Sequence, residues 1–157
     1  MFTLGTGGSG RIRFVGVRVN LFRAVLETIR RASTHDYGLP ADWARALGTL
    51  TDDVHALVFA TPTCPSCPPV VSSTIRMALA CDRLRVDVVD GIAGMDVVRE
   101  WGVSGVPTVI LNGRLSVEGP VLEESLLEFV RHAADPSHPP PAIASVPYPS
   151  CGRLEAG

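Results

Sequence analysis

The sequence predicts an α/β fold with a mixed central sheet and helices on both of its faces. Three observations predict it. Ala56-Leu-Val-Phe-Ala is a continuous apolar run of strand length, suited to burial on both faces. Strand-like and helix-like segments then alternate, and a strand–helix–strand crossover requires parallel pairing. Asn112-Gly113, set between two strand-like runs, suits a type I′ turn, which requires an antiparallel pair.

Taken in order, Met1–Gly10 is rich in Gly, Ser and Thr and reads as a flexible arm, residues 1–10. Residues 11–40 read as a strand–helix extension. Arg11–Val17 begins with alternating charged and apolar residues, a strand pattern. Asn20 can cap a helix whose apolar stripe is Leu21, Phe22, Val25, Leu26 and Ile29, and a loop runs from Ala32 to Pro40.

Residues 41–134 read as the main domain. Ala41–Leu50 is a short helix carrying Trp43 and Leu47, and Ala56–Ala60 is a strand. Val71, Ile75, Ala78 and Leu79 recur at helical spacing as far as Ala80. Leu84–Val89 is a strand and Met95–Trp101 a short helix; Val106–Leu111 and Arg114–Val117 make the hairpin. Pro120, Glu123 and Glu124 open the last helix, with Leu122, Leu126, Phe129 and Val130 as its stripe. Arg131 and His132 complement the dipole at its C-terminal end. Residues 135–157 hold too many prolines and too few spaced apolar residues to pack, and read as a flexible tail.

A net charge of −2 and a pI near 6.0 leave no electrostatic footprint for nucleic acid or a membrane surface. No apolar run approaches the ~18 residues of a membrane helix, and no basic leader precedes an apolar segment. The expectation is a cytoplasmic protein. Thiols there are kept reduced, so a close cysteine pair suggests redox or metal chemistry more than a static crosslink.

Cys64 and Cys67 are that pair, in "ATPTCPSCPPVV". Such a pair can grip a metal, trade electrons or stay inert. Tetrahedral zinc needs about four ligands, and His35, His55, His132 and His138 are scattered without a partner spacing, so no metal is expected. The pair lies where a strand ends and a helix begins. Unpaired N–H groups and the positive dipole end favour a thiolate there. Cys81 reads as a buried small hydrophobe, Cys151 as an incidental thiol in the tail, and Trp43 and Trp101 as core residues.

"FATPTCPSCP" followed by "WGVSGVPTVILNGR" resembles the thioredoxin/glutaredoxin superfamily. More narrowly, it is similar to glutaredoxin-like protein disulfide oxidoreductases and to the N-terminal domain of the alkyl hydroperoxide reductase flavoprotein. In those relatives two thioredoxin units run in tandem, and "RIRFVGVRVNLFRAVLETIRR" resembles the end of a first unit. The implied fold is thioredoxin-like, with a strand–helix remnant ahead of it. Cys64 then matches the nucleophile and Cys67 the resolving cysteine. Pro107 matches a cis-proline beside the disulfide, and Val106 the residue that offers its backbone to a substrate chain. Thr63, Pro65 and Ser66 complete the implied substrate-facing surface.

The implied activity is thiol–disulfide exchange on protein disulfides, with no cofactor. Exchange needs a thiolate attacker, a second thiol to resolve the mixed disulfide, and access. CxxC pairs reach thiol pKa values of roughly 3.5–7.5. Pro65 suits the first turn of the following helix. Implied partners are protein disulfide substrates and a thioredoxin-reductase-like flavoprotein or a peroxidase, with a homodimer through the N-terminal extension as a further expectation. A dedicated electron carrier and a non-catalytic interaction module are the alternatives. Two departures stand out. Val58 occupies the place of the buried aspartate of thioredoxins proper, and Pro69 removes a second donor after Pro68, which predicts an irregular helix.

Overall fold

The computed structural model describes residues 2–4, 12–16 and 22–141. The strands are β1 (Phe2–Leu4), β2 (Ile12–Val15), β3 (Val54–Ala60), β4 (Leu84–Asp90), β5 (Thr108–Leu111) and β6 (Leu115–Glu118). The helices are α1 (Phe22–Thr34), α2 (Ala41–Gly48), α3 (Cys67–Ala80), α4 (Met95–Glu100) and α5 (Glu123–Ala134). The strands form one mixed sheet in the order β1-β2-β4-β3-β5-β6. β2, β4 and β3 run parallel, while β1, β5 and β6 are antiparallel to their neighbours.

The apolar run lies at the centre of the sheet because both of its faces are covered. Side chains alternate along a strand. Val54, Ala56, Val58 and Ala60 therefore join Leu84, Val86 and Val88 on the face packed by α1, α2, α3 and α5. Leu57, Phe59 and Val89 point the other way, onto Val97 and Val98 of α4 and the nearby Trp101. The hairpin forms where Asn-Gly predicts it: Asn112 and Gly113 both have positive φ, 50° and 65°. Asn112 does more than turn the chain. Its side-chain oxygen accepts the His55 N–H (2.8 Å), and its amide donates to the Ala133 carbonyl (3.1 Å), tying the hairpin to β3 and α5.

Several expectations are corrected. Within the arm, Phe2–Leu4 is a strand, because the outer edge of β2 offers unpaired backbone groups for an antiparallel partner. A strand and a helix form within 11–40 as β2 and α1; β2 pairs in register with β4, and Ile12, Phe14 and Val25 share the main core. Of the predicted α1 stripe, Val25 is buried but Leu26 and Ile29 are exposed. Toward α3 the helix instead presents Ala24 and Thr28, which face Val71 and Ile75 across a gap between the two helices. Thr28 buries its hydroxyl by donating to the Ala24 carbonyl (2.6 Å). Asn20 and Leu21 lie outside the described residues. Leu122 is exposed because it precedes α5, whereas Leu126, Phe129 and Val130 are fully buried. The start of the tail folds back on α5. His138 Nε2 bonds Glu128 (2.6 Å) and the His132 ring nitrogen donates to the His138 carbonyl (2.6 Å). Residues 142–157 lie outside the described residues.

On the α4 face the sheet buries one carboxylate. Asp87 of β4 is 1% exposed. It accepts from Arg13 Nε on β2 (2.8 Å) and from His55 Nε2 on β3 (2.8 Å), with a second bond from the Arg13 guanidinium. Burial pushes its carboxyl up, but the bonds from His55 and Arg13 outweigh that, so its pKa lies below the ordinary value of 3.8. A depressed folded-state pKa stabilises the fold above the unfolded value, and that contribution is lost as pH falls through the folded one. Asp87→Asn is expected to cost about 1–3 kcal/mol at neutral pH. In thermal melts the gap between variant and wild type should shrink as pH drops below about 4. A gap independent of pH would assign Asp87 a packing role only.

Candidate active site

The site begins with two prolines. An α-helix needs an N–H at each position from its fifth residue onward, counting the N-cap as the first. Pro68 and Pro69 have none, so Val70 is the first donor after them, and its acceptor four residues back is Ser66. Ser66 is accordingly the N-cap of α3, and Cys67, Pro68 and Pro69 are its first three residues. Both prolines occupy positions whose N–H would be unpaired in any case. The regular helix therefore accommodates Pro69, against the expected irregularity. Pro65 does not open the helix; it lies in the turn before it, together with Cys64, whose N–H donates to the Thr61 carbonyl (3.2 Å).

Cys64 and Cys67 form a disulfide, with Cα atoms 5.5 Å apart. The two sulfurs differ in access. Cys67, at the first position of α3, is fully buried in the main core, while Cys64 in the turn is partly exposed. Thr63 and Pro65 flank Cys64 and are exposed; Ser66 is half-buried, its hydroxyl 3.5 Å from the Cys64 Sγ.

The opposite wall comes from a segment about forty residues further along the chain. The Val106 carbonyl oxygen lies 3.8 Å from the Cys64 Sγ, and the Val106–Pro107 peptide is cis. Two bonds hold this loop: Thr108 Oγ1 donates to the Gly105 carbonyl (2.8 Å), and the Gly119 N–H donates to the Pro107 carbonyl (2.8 Å). Pro107 is buried and Val106 half-buried. The structure thus brings Thr63, Cys64, Pro65, Ser66, Cys67, Val106 and Pro107 to one end of the sheet.

Val58 is fully buried among apolar residues, so the sheet carries no carboxylate there. A residue the sequence reading passed over lies nearby: Asp90, at the end of β4 and opposite Ala60 in register. It is fully buried, and its Oδ1 accepts the N–H groups of Ile92 (2.9 Å) and Ala93 (3.3 Å), shaping the loop beside the disulfide end of β3. Aspartate followed by Gly-Ile-Ala-Gly at a strand end was the available signal, since Asp bonds backbone two residues on. Glu118 was also missed. Its carboxylate packs against Gly105, just before the cis-proline, where an added Cβ would collide with it.

Cys81 is buried, and its thiol donates to the Leu47 carbonyl (3.2 Å), as a small core residue does. Trp43 and Trp101 are half-buried against the two cores. Cys151 lies outside the described residues. Among the described residues no group of three or more His, Cys, Asp or Glu is placed to hold a metal, and no helix is long and apolar enough to cross a membrane.

Comparisons with known proteins bear out the resemblance. Residues 54–131 match the Thioredoxin domain family. A thioredoxin from Methanocaldococcus jannaschii is 27% identical over 75 residues, covering 47% of this chain and 88% of that protein. A crystal structure of a protein disulfide oxidoreductase from Aeropyrum pernix K1 superposes with a TM-score of 0.66 at 31% identity. That match covers 73% of this chain but 52% of the other, so the chain spans about half its length. The N-terminal domain of an alkylhydroperoxide reductase from Enterococcus faecalis shares the fold, with a TM-score of 0.54 at 22% identity over 59% of this chain and 44% of that one.

The burial difference predicts an order of reactivity. In the reduced protein, iodoacetamide should modify Cys64 at least about tenfold faster than Cys67 or Cys81, because access limits a buried thiol. Mass-spectrometric peptide mapping over time checks this; equal rates for Cys64 and Cys67 would refute it.

Proposed function

We propose that the chain, whose residues 54–131 match the Thioredoxin domain family, is a thiol–disulfide oxidoreductase acting on protein disulfides. The observation that carries the reading is the Cys64–Cys67 disulfide with one accessible and one buried sulfur, set against the Val106–Pro107 loop. The similarity to a Methanocaldococcus thioredoxin and to an Aeropyrum protein disulfide oxidoreductase supports it.

In the reductive direction the Cys64 thiolate attacks one sulfur of a substrate disulfide. A Cys64–substrate disulfide forms and the other substrate sulfur leaves as a thiolate. The Cys67 thiolate then attacks the Cys64 sulfur, releases the second substrate thiolate and regenerates the Cys64–Cys67 disulfide. Two electrons pass from the dithiol to the substrate, and solvent protons neutralise the released thiolates. Val106, with Thr63, Pro65 and Ser66 around the nucleophile, presents the surface that receives the substrate chain. The proposed setting is the cytoplasm, with a flavoprotein reductase returning electrons to the disulfide.

Insulin reduction driven by dithiothreitol tests the chemistry. Cys64→Ser should fall to the uncatalysed rate. Cys67→Ser should accumulate a mixed disulfide visible on a non-reducing gel, and Cys81→Ser should match wild type. Activity of Cys64→Ser equal to wild type would sink the proposal.

A homodimer through the N-terminal segment is a second element of the reading, favoured by Leu26 and Ile29, 53% and 41% exposed on α1. Light scattering should give twice the chain mass, reduced to the single mass by Leu26→Glu with Ile29→Glu. Monomer at all concentrations would remove it.

A further inference from the structure

Behind the active-site helix, α1 and α3 part to leave a cavity of about 290 Å³ that the redox reaction does not use. Such a volume is near the lower end of small-molecule sites. Its walls include Ala24 and Thr28 from α1 and Pro68, Val71 and Ile75 from α3, and most of its surface is apolar. Three guanidinium groups line it, those of Arg23, Arg31 and Arg76, against one carboxylate, Glu27.

The cations are not equivalent. Arg31 pairs with Glu27 (2.8 Å), which Arg30 also holds (2.8 Å). Arg76 pairs with Glu123 and donates to the Gly38 carbonyl (2.7 Å). These pairs balance charge at the end remote from the disulfide. Arg23 has no ion-pair partner among the described residues, and it lies one turn before Glu27, toward the start of α1. The groove thus has an apolar body, a neutralised far end and one cation without an ion-pair partner among the described residues.

We infer that this groove binds an amphipathic organic anion, with a carboxylate at Arg23 and an apolar chain lying along Ala24, Val71 and Ile75. The carboxylate supplies the missing counter-charge, and the chain replaces water on apolar walls. Arg23 is exposed, so its ion pair is a modest part of the affinity, and the groove supplies the rest.

Octanoate and octan-1-ol, which share a chain length and differ in charge, are the probes. Amide chemical shifts of Ala24, Val71 and Ile75 should move saturably with octanoate and be weaker or absent with octan-1-ol. Arg23→Ala should weaken octanoate about two- to fivefold, the worth of one exposed pair, and Arg23→Glu further. Ser72→Phe, which fills the groove from its half-buried rim without touching a charge, should abolish the shifts. Circular dichroism confirms that each variant is folded. Absence of saturable shifts, equal affinity for octan-1-ol, or unchanged octanoate affinity in folded Arg23→Glu would overturn the inference.

Discussion

The site depends on how β3 is paired. On one side it runs parallel to β4, Val54 opposite Leu84 through Ala60 opposite Asp90, so both strands end at the same edge of the sheet. On the other side it runs antiparallel to β5, with Phe59 opposite Thr108, so β5 begins at that edge. The chain leaving β3 carries Cys64 and the chain entering β5 carries Pro107. Two segments distant in sequence are therefore neighbours through the β3–β5 pairing, and the β3–β4 pairing brings the Asp90 loop to the same edge. Side-chain alternation adds the second constraint, because a one-residue slip in β3 would exchange its two buried faces.

Within that frame the prolines set the difference between the cysteines. By withholding two N–H groups, Pro68 and Pro69 place the helix start at Cys67. One sulfur is thereby locked into the first turn of a buried helix, and the other is left in the preceding turn. Access follows from the helix boundary and needs no specialised pocket. The cis-proline loop then closes over Cys64 from the other side, held by Thr108 and Gly119 through backbone carbonyls.

Charge is distributed to leave the disulfide in largely apolar surroundings. The buried carboxylate of Asp87 lies on the opposite face, satisfied by Arg13 and His55 from the two flanking strands. Asp90, nearer the site, spends one oxygen on its own loop. Arginines collect instead between α1 and α3, where Glu27 and Glu123 balance Arg31 and Arg76, while Arg23 has no ion-pair partner among the described residues.

Local patterns determined much of this protein. The apolar run of β3, the helical spacing of α3 and the Asn-Gly turn act over a few residues, so their elements were legible directly. So was the CxxC pair, and Pro107 was legible through the family resemblance. Local pattern misjudged faces and edges. Leu26 and Ile29 fit a helical stripe, yet they stay exposed while α1 turns Ala24 and Thr28 toward α3. Phe2–Leu4 lies in a stretch rich in Gly, Ser and Thr, yet an open edge of β2 was available to pair with it. The Asp87–Arg13–His55 cluster joins three strands and has no local signature. The sequence by itself determined most of the strands and helices and which two thiols lie close together, because propensity, backbone donors and spacing are local. Tertiary structure alone decided which sulfur is exposed, which apolar residues face water and which cation finds no partner among the described residues, because each depends on what another element covers.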